Sequence, residues 1–274
     1  MGKVFRFELS RALGGIRFRL CAASGLLISL LHCVTSVLPL TKWLDTWREK
    51  PFLTPHSAYT HWIGLDLATV WPVLLFTVLP LFAALPAADS GWWDRDSGYI
   101  NHIRLRCTDR QYRVSKAAAV FVSAFLAAVI PLMADFLFTS AVLPCVLPEP
   151  ASGSGPLTDR DLFGAVFYHH PVLYILGYTL FDGVFLAMWT TLALSLSRWM
   201  RQRFQVLLTP FILYLLAYFA DIWSGSAFPS PMALLLPFQP VDGVRLWMPC
   251  VFLAGLAALL AVCWFAPGGR DDAI

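Results

Sequence analysis

Apolar residues run along this chain in long uninterrupted stretches, not in the short bursts that build a soluble core. A helix needs ~20 apolar residues, at ~1.5 Å each, to cross the ~30 Å hydrocarbon core of a bilayer. Six stretches meet that need: 20–40, 67–88, 117–147, 171–197, 204–220 and 246–266, and none contains Lys or Arg. The third is long enough to tilt strongly or project beyond the bilayer, and the fifth is near the lower limit. A further apolar run, 227–240, carries Pro229, Pro231, Pro237 and Pro240. It reads as a re-entrant or interfacial segment on the outer side, because proline removes a backbone donor and breaks a spanning helix. The expected fold is an all-α integral membrane protein of six transmembrane helices, a single domain over 1–274.

Two polar segments stand out between the apolar ones. In 1–16, Phe5, Leu9, Ala12 and Ile16 recur at helical spacing, while Lys3, Arg6 and Ser10 lie on another side. That pattern predicts a short amphipathic helix in the headgroup plane, ended by Gly14-Gly15. The plainer alternative is a basic flank that only sets topology. The second segment, 89–116, lies between the second and third spans. After Gly98, the residues Tyr99, Ile100, Ile103 and Cys107 fall on one helical stripe, with Asn101, Arg104 and Arg106 elsewhere. Thr108-Asp109 is placed to cap the helix that enters the third span. A short helix of this kind either docks on a cytoplasmic partner or lies on the membrane surface.

Composition agrees with a membrane protein. Of 274 residues, 58% are hydrophobic and 14% charged, against ~25% charged in an ordinary globular domain. With both termini inside, the cytoplasmic segments collect 15 Lys and Arg and the outer ones 5, which sets the orientation by the positive-inside rule. The net charge of +3 is too small to point to nucleic acid. The 6 cysteines show no CxxC spacing, so neither a disulfide framework nor a zinc site is expected. Trp43, Trp47, Trp62, Trp223 and Trp247 read as interfacial anchors.

Catalytic chemistry finds little footing. There is no GxxxxGK[ST] phosphate loop, no HExxH and no GxSxG. His169-His170 cannot share a face, and His56 and His61 have no third ligand in sequence. No catalytic residue, metal ligand or cofactor is therefore expected in this chain. Gly153-Ser154-Gly155 reads as a flexible outer connector.

Asp94, Arg95, Gly98, Tyr99, Ile103, Thr108, Tyr112 and Lys116 form a pattern: acidic–Arg–x–x–Gly, an apolar-striped segment, a polar turn, then Lys before a long span. It is similar to the loop between the second and third spans of ABC-2 type (type V fold) bacterial ABC transporter permeases. The N-terminal amphipathic segment resembles that family's elbow helix, and the six-span layout resembles its overall fold. Asp94 stands where Glu is often seen, and Ile103, Arg104 and Leu105 replace the usual Leu-Leu-x-x-Pro. The resemblance implies a permease subunit of an exporter in the bacterial cytoplasmic membrane, paired with a second permease, identical or homologous. ATP and magnesium would be held by separate cytoplasmic ATPase subunits. Asp94, Arg95, Gly98, Tyr99, Ile100, Ile103, Arg104 and Arg106 would form the coupling helix that seats on the ATPase. Tyr99 and Ile103 would be its buried part, and Arg104 and Arg106 its rim.

Two carboxylates fall inside spans, Asp135 in the third and Asp182 in the fourth. A charge there costs ~2.5–3.5 kcal/mol on insertion scales, so each should face the bundle interior. Counted from Lys116 and Arg198, both reach similar depth in the outer half of the membrane. They are candidates for one polar cavity on a translocation route; the alternative is that each is satisfied structurally. Besides an export permease for an amphipathic, peptide, lipid or drug-like substrate, two other classes stay open. One is an intramembrane enzyme acting on lipid or peptide, which would need His, Glu or Cys clustered at one depth. The other is a non-transporting scaffold or immunity protein.

Overall fold

The computed structural model describes residues 2–44, 56–66, 68–149, 156–157, 161–224, 228–238 and 244–265. They form helices and turns, with no strand among the described residues. Five helices among them are long and apolar enough to cross a membrane. Helix α1 (Gly2–Gly14) ends at the Gly14-Gly15 break, as expected. Helix α2 (Ile16–His32) runs on through a π turn, Cys33–Val37, and a 3-10 turn, Leu38–Trp43, so the apolar stretch totals 28 residues.

The second expected span, 67–88, is realised differently. Helix α3 (Trp71–Ala84) has 14 residues, about 21 Å of rise, short of the ~30 Å core. Pro72 opens it, Pro80 interrupts it and Pro86 removes a donor just beyond it. Turns over 85–89 lead into α4 (Ser90–Asp96), and Gly98, in the left-handed region at φ 70°, separates α4 from α5 (Tyr99–Arg104). Helix α6 (Asp109–Val142) has 34 residues. It starts well before the apolar run does, because Thr108 and Gln111 form a reciprocal capping box. It stops short of 147 because Leu143 precedes Pro144 and is extended, at φ −108° and ψ 149°.

Of the remaining helices, the three long ones follow the apolar pattern closely. They are α7 (Gly164–His169), α8 (Pro171–Leu196), α9 (Arg203–Ser224), α10 (Pro231–Leu235) and α11 (Trp247–Phe265). Helix α10, in the proline-rich run, buries Met232 to Leu235 against the bundle and is capped by Ser230.

Helix α6 is the axis of the bundle: α1, α2, α3 and α8 all pack on it, and α8 in turn carries α9 and α11. Small residues make that possible. Ala119, Ala124, Ala127 and Ala128 line the buried side of α6. A Cβ on Gly183 of α8 would lie 2.7 Å from both Phe125 and Val129 of α6, and one on Gly25 of α2 would lie 3.0 Å from Pro131. Close backbone approach of this kind is how membrane helices gain packing without a hydrophobic driving force.

The segment 56–66 is folded inward over one end of α6. Ala58 N–H donates to the Pro144 carbonyl at 3.1 Å and Ser57 Oγ to the Val146 carbonyl at 2.6 Å. Trp62 is 0% exposed and its indole N–H donates to the Leu132 carbonyl at 3.0 Å. The expectation of an interfacial anchor there is corrected: the ring fills core space that α3 and α6 leave open. Trp43, Trp223 and Trp247 are exposed, as interfacial residues should be. Trp47 and the connector Gly153-Ser154-Gly155 lie outside the described residues.

Gly183→Ala tests the α6–α8 contact. Alanine gains ~1 kcal/mol in helix propensity over glycine, but overpacking a close contact costs ~1–3 kcal/mol, and Val129 is too stiff to move aside. The variant should melt at lower temperature than the parent chain in detergent, followed by circular dichroism. An unchanged or raised midpoint would mean that the contact is slack.

Candidate functional site

The expected coupling residues sit on a buried ion network. Glu8 of α1, Asp94 of α4 and Lys116 of α6 are all buried. Lys116 Nζ lies 2.7 Å from Glu8 Oε2 and 2.6 Å from Asp94 Oδ2. Tyr112 donates its hydroxyl to Asp94 Oδ2 at 2.6 Å, and Arg11 Nη1 pairs with Asp94 Oδ1 at 2.7 Å. Burial works against the Arg11 charge, but Asp94 and Glu8 outweigh it and raise the guanidinium above its ordinary value. The Arg11 guanidinium also lies 5.2 Å from the centre of the Tyr99 ring, which ties α5 to α1.

A second knot adjoins it. Asp89, just before α4, accepts from Arg17 Nη1 at 2.9 and 3.0 Å and from Arg203 Nε of α9. Burial pushes the Asp89 carboxyl above its ordinary value against the pull of Arg17. Arg95 reaches the far side, donating to the Ser197 carbonyl at 2.8 Å and to Ser197 Oγ at 2.9 Å at the end of α8. The α4–α5 segment is thus bonded to the bases of α1, α2, α6, α8 and α9.

Helix α5 turns part of its apolar stripe toward the bundle. Ile100 is buried, and Tyr99 and Ile103 are partly buried, all against this chain. Tyr99 meets the Arg11 guanidinium of α1 through its ring, and Ile100 lines a cavity beside Asp109 and Tyr112 of α6. Asn101, His102 and Arg106 are exposed, and Leu105 is 86% exposed. The Arg104 side chain lies outside the described residues.

Near the other end of α6, Asp135 joins a second buried cluster. His32 Nδ1 lies 2.6 Å from Asp135 Oδ1 and Nε2 lies 3.0 Å from Asp66 Oδ2. Both ring nitrogens face carboxylate oxygens, so the three groups share two protons between these contacts and carry one net negative charge however those protons are distributed. Backbone donors and a hydroxyl compensate it. Ile63 N–H donates to Asp135 Oδ2 at 2.8 Å, Ala68 N–H to Asp66 Oδ1 at 3.1 Å and Thr69 Oγ1 to Asp66 Oδ2 at 3.1 Å. Burial works against the Asp66 charge, yet bonds from His32, Ala68 and Thr69 bring its carboxyl below the ordinary value.

Asp182 belongs to neither cluster. It is fully buried on α8, and neither carboxyl oxygen has a hydrogen-bond partner. A buried polar group left unpaired is costly, and in a spanning helix it is a default pointer to function. Asp135 and Asp182 are therefore not a bonded pair: one is locked in a trio, and the other has no hydrogen-bond partner among the described residues. Among the described residues no group of His, Cys, Asp or Glu is arranged to hold a metal ion. His169 and His170 are exposed, and His56 Nδ1 meets His61 Nε2 at 2.9 Å with no third ligand.

Glu8, Arg11, Asp89, Arg17, Arg203, His32 and Asp66 were not singled out by the sequence pattern as site residues. Glu8 had a signal: it is the sole acid before Asp45 and falls three residues after Phe5 and four before Ala12, on the apolar stripe. His32 had one too, as the one histidine within an apolar span. Comparison of the chain with family models, with curated proteins and with solved structures gave no match in any of the three.

Lys116→Met leaves two carboxylates buried with Arg11 as their remaining cation. Breaking a buried pair costs ~3–5 kcal/mol, so the variant should unfold at lower denaturant and expose the α1–α5 region to protease. Adding Glu8→Gln and Asp94→Asn to it should restore much of that loss, since no buried carboxylate is then stranded and Arg11, about a third exposed, is left with access to water. A triple variant as weak as the single one would show that charge burial is not the cause.

The His56–His61 pair gives a pH test. Burial, then the neighbouring His56, pushes His61 down to about 4, against the pull of Asp66, and burial also lowers His56. Both imidazoles ordinarily titrate near ~6.5, so the unfolded segment binds protons more readily than the folded one. The stability of 56–66 is full above ~6.5 and falls as pH drops from there toward about 4. Hydrogen exchange of these amides, corrected for the intrinsic rate, should be faster at pH 5 than at pH 7, and His61→Gln should flatten the difference.

Proposed function

We propose that the chain is a permease subunit of an ATP-driven ABC transporter of the ABC-2 kind, an exporter in the bacterial cytoplasmic membrane with both termini inside. In this reading it has six spans, counting α3 with its turns into α4 as the second. Helix α1 is the elbow helix, and α4–α5 form the coupling element. The observation that carries the reading is the bonding of α4–α5: Asp94, Asp89 and Arg95 tie it by ions and hydrogen bonds to the bases of five helices. An element that receives a push from a cytoplasmic ATPase needs such stiff attachment to move the spans. ATP and magnesium stay on that partner, and a second permease, identical or homologous, completes the pathway.

In this reading the exposed face of α5 is the one that meets the ATPase. Leu105 is the apolar anchor, with Asn101, His102 and Arg106 around it; anchors hold a complex, while rim charges steer its formation. An apolar cleft of about 380 Å³ between α8 and α11, lined by Leu173, Tyr174, Phe181, Pro249 and Leu253 among others, supports an amphipathic, lipid or drug-like substrate. Asp182 is assigned to the route and Asp135 to the trio that holds the outer segment in place.

An intramembrane enzyme is the second reading, favoured by the clustering of His32, Asp66 and Asp135 at one depth. Against it, both His32 nitrogens are occupied by carboxylates, which leaves neither to activate a nucleophile. A scaffold or immunity protein would need no ATPase.

Purification of the tagged chain from its native membrane separates these classes. A cytoplasmic ATPase should co-purify, and Leu105→Asp should lower its retention about tenfold or more while the spans stay folded. Absence of any ATPase, or full retention by the variant, would remove the coupling role.

A further inference from the structure

At the end of the bundle that carries the ion network, the bases of α6, α8 and α11, with Gly91 and Arg95 of α4 and Ile100 of α5, line a partly open cavity of about 150 Å³. That is room for about five waters at ~30 Å³ each, enough for a phosphate group. Its polar wall presents Arg95, Arg113, Lys116 and Arg198 against a single carboxylate, Asp109; its other wall is Cys263 and Trp264 of α11. Three of the four cations have partners elsewhere. Arg95 is held by Ser197, Lys116 by Glu8 and Asp94, and the Arg198 guanidinium lies 5.6 Å from the Trp199 ring centre. Arg113 makes no hydrogen bond or ion pair within the described residues. Counting network and cavity together, Arg11, Arg95, Arg113, Lys116 and Arg198 face Glu8, Asp94 and Asp109, which leaves two positive charges in excess.

We propose that this cavity binds a phosphate-bearing anion, the headgroup of an acidic phospholipid being the form its surroundings favour. Guanidinium groups match phosphate oxygens in fork geometry and stay charged when partly buried. The cavity lies at the ends of three long apolar helices, beside Trp199 and Trp264, residues of the kind that favours the headgroup level. Along α11 from the cavity, Leu259 and Val262 are exposed and apolar, a track for acyl chains. Basic pockets between spanning helices on the cytoplasmic side take acidic headgroups for these reasons. The site requires only that the chain spans a membrane and does not depend on the transporter reading. A bound phosphate diester would bridge α6 to α8 and α11.

The test uses the purified, delipidated full chain in mild detergent. Phosphatidylglycerol and phosphatidylcholine are titrated separately and bound lipid is read by native mass spectrometry; inorganic phosphate is added in a parallel thermal-unfolding assay. Phosphatidylglycerol should bind and phosphatidylcholine should not. Arg113→Gln and Arg198→Gln should each weaken it about tenfold or more, the loss of one charge-assisted bond, while Arg6→Gln on the exposed side of α1 should not. Circular dichroism checks that each variant keeps its helices. Stabilisation by inorganic phosphate without phosphatidylglycerol binding would keep the anion site and assign it to a soluble phosphate. Equal binding of the two lipids, or unchanged phosphatidylglycerol binding and phosphate response in both cavity variants, would overturn the proposal.

Discussion

A single buried ammonium group organises one end of this molecule. Lys116 leaves water only because Glu8 and Asp94 meet it within hydrogen-bond distance, and those two carboxylates come from helices far apart in sequence. Bringing such charges out of water costs several kcal/mol per ion, and their attraction returns that only when the geometry is close. An apolar patch could hold α1 and α4 against α6 as firmly. It would not fix their register, since apolar surfaces slide and ion pairs do not. Position along α6, more than stability, is what the network specifies.

The other end of α6 uses the same device with different groups. His32, Asp66 and Asp135 join α2, the segment after it and α6, and the backbone N–H of Ile63 completes the arrangement. Between the two clusters the contacts are close and apolar, built from alanine and glycine. The bundle is thus pinned by charge at both ends of one helix and packed by shape between. Asp182, on the neighbouring α8, stands outside this scheme with its polar atoms unpaired.

What was legible in the sequence divides along physical lines. Helix α8 matches the apolar run to within a residue because Pro171 starts it and no proline lies inside it. The start of α6 was legible from Thr108, whose cap is a local interaction. Helix α3 was overestimated because three prolines in one apolar run shorten a helix that hydropathy alone lets through. Periodicity shows that Tyr99, Ile100 and Ile103 share a face, but not that Ile100 is buried while Tyr99 and Ile103 stay partly open; that depends on tertiary neighbours. Depth counted along the chain placed Asp135 and Asp182 at one level. It says nothing about direction around the helix, and direction decided that His32 meets one of them and not the other. Trp62 was misread because an aromatic near an apolar boundary looks the same whether the loop it sits on faces water or folds inward.

The run of α6 between its two clusters, helical throughout even at Pro131, carries a genetic consequence. Lys116 and Asp135 are separated by 19 residues of one helix, so their relative bearing is set by counting. Each residue added or removed between them turns one cluster by roughly 100° against the other and shifts it by ~1.5 Å along the axis. Point changes in that stretch can be absorbed by repacking, but a length change cannot. Related chains that keep both clusters should therefore differ freely in the loops and hold the number of residues between these two positions constant.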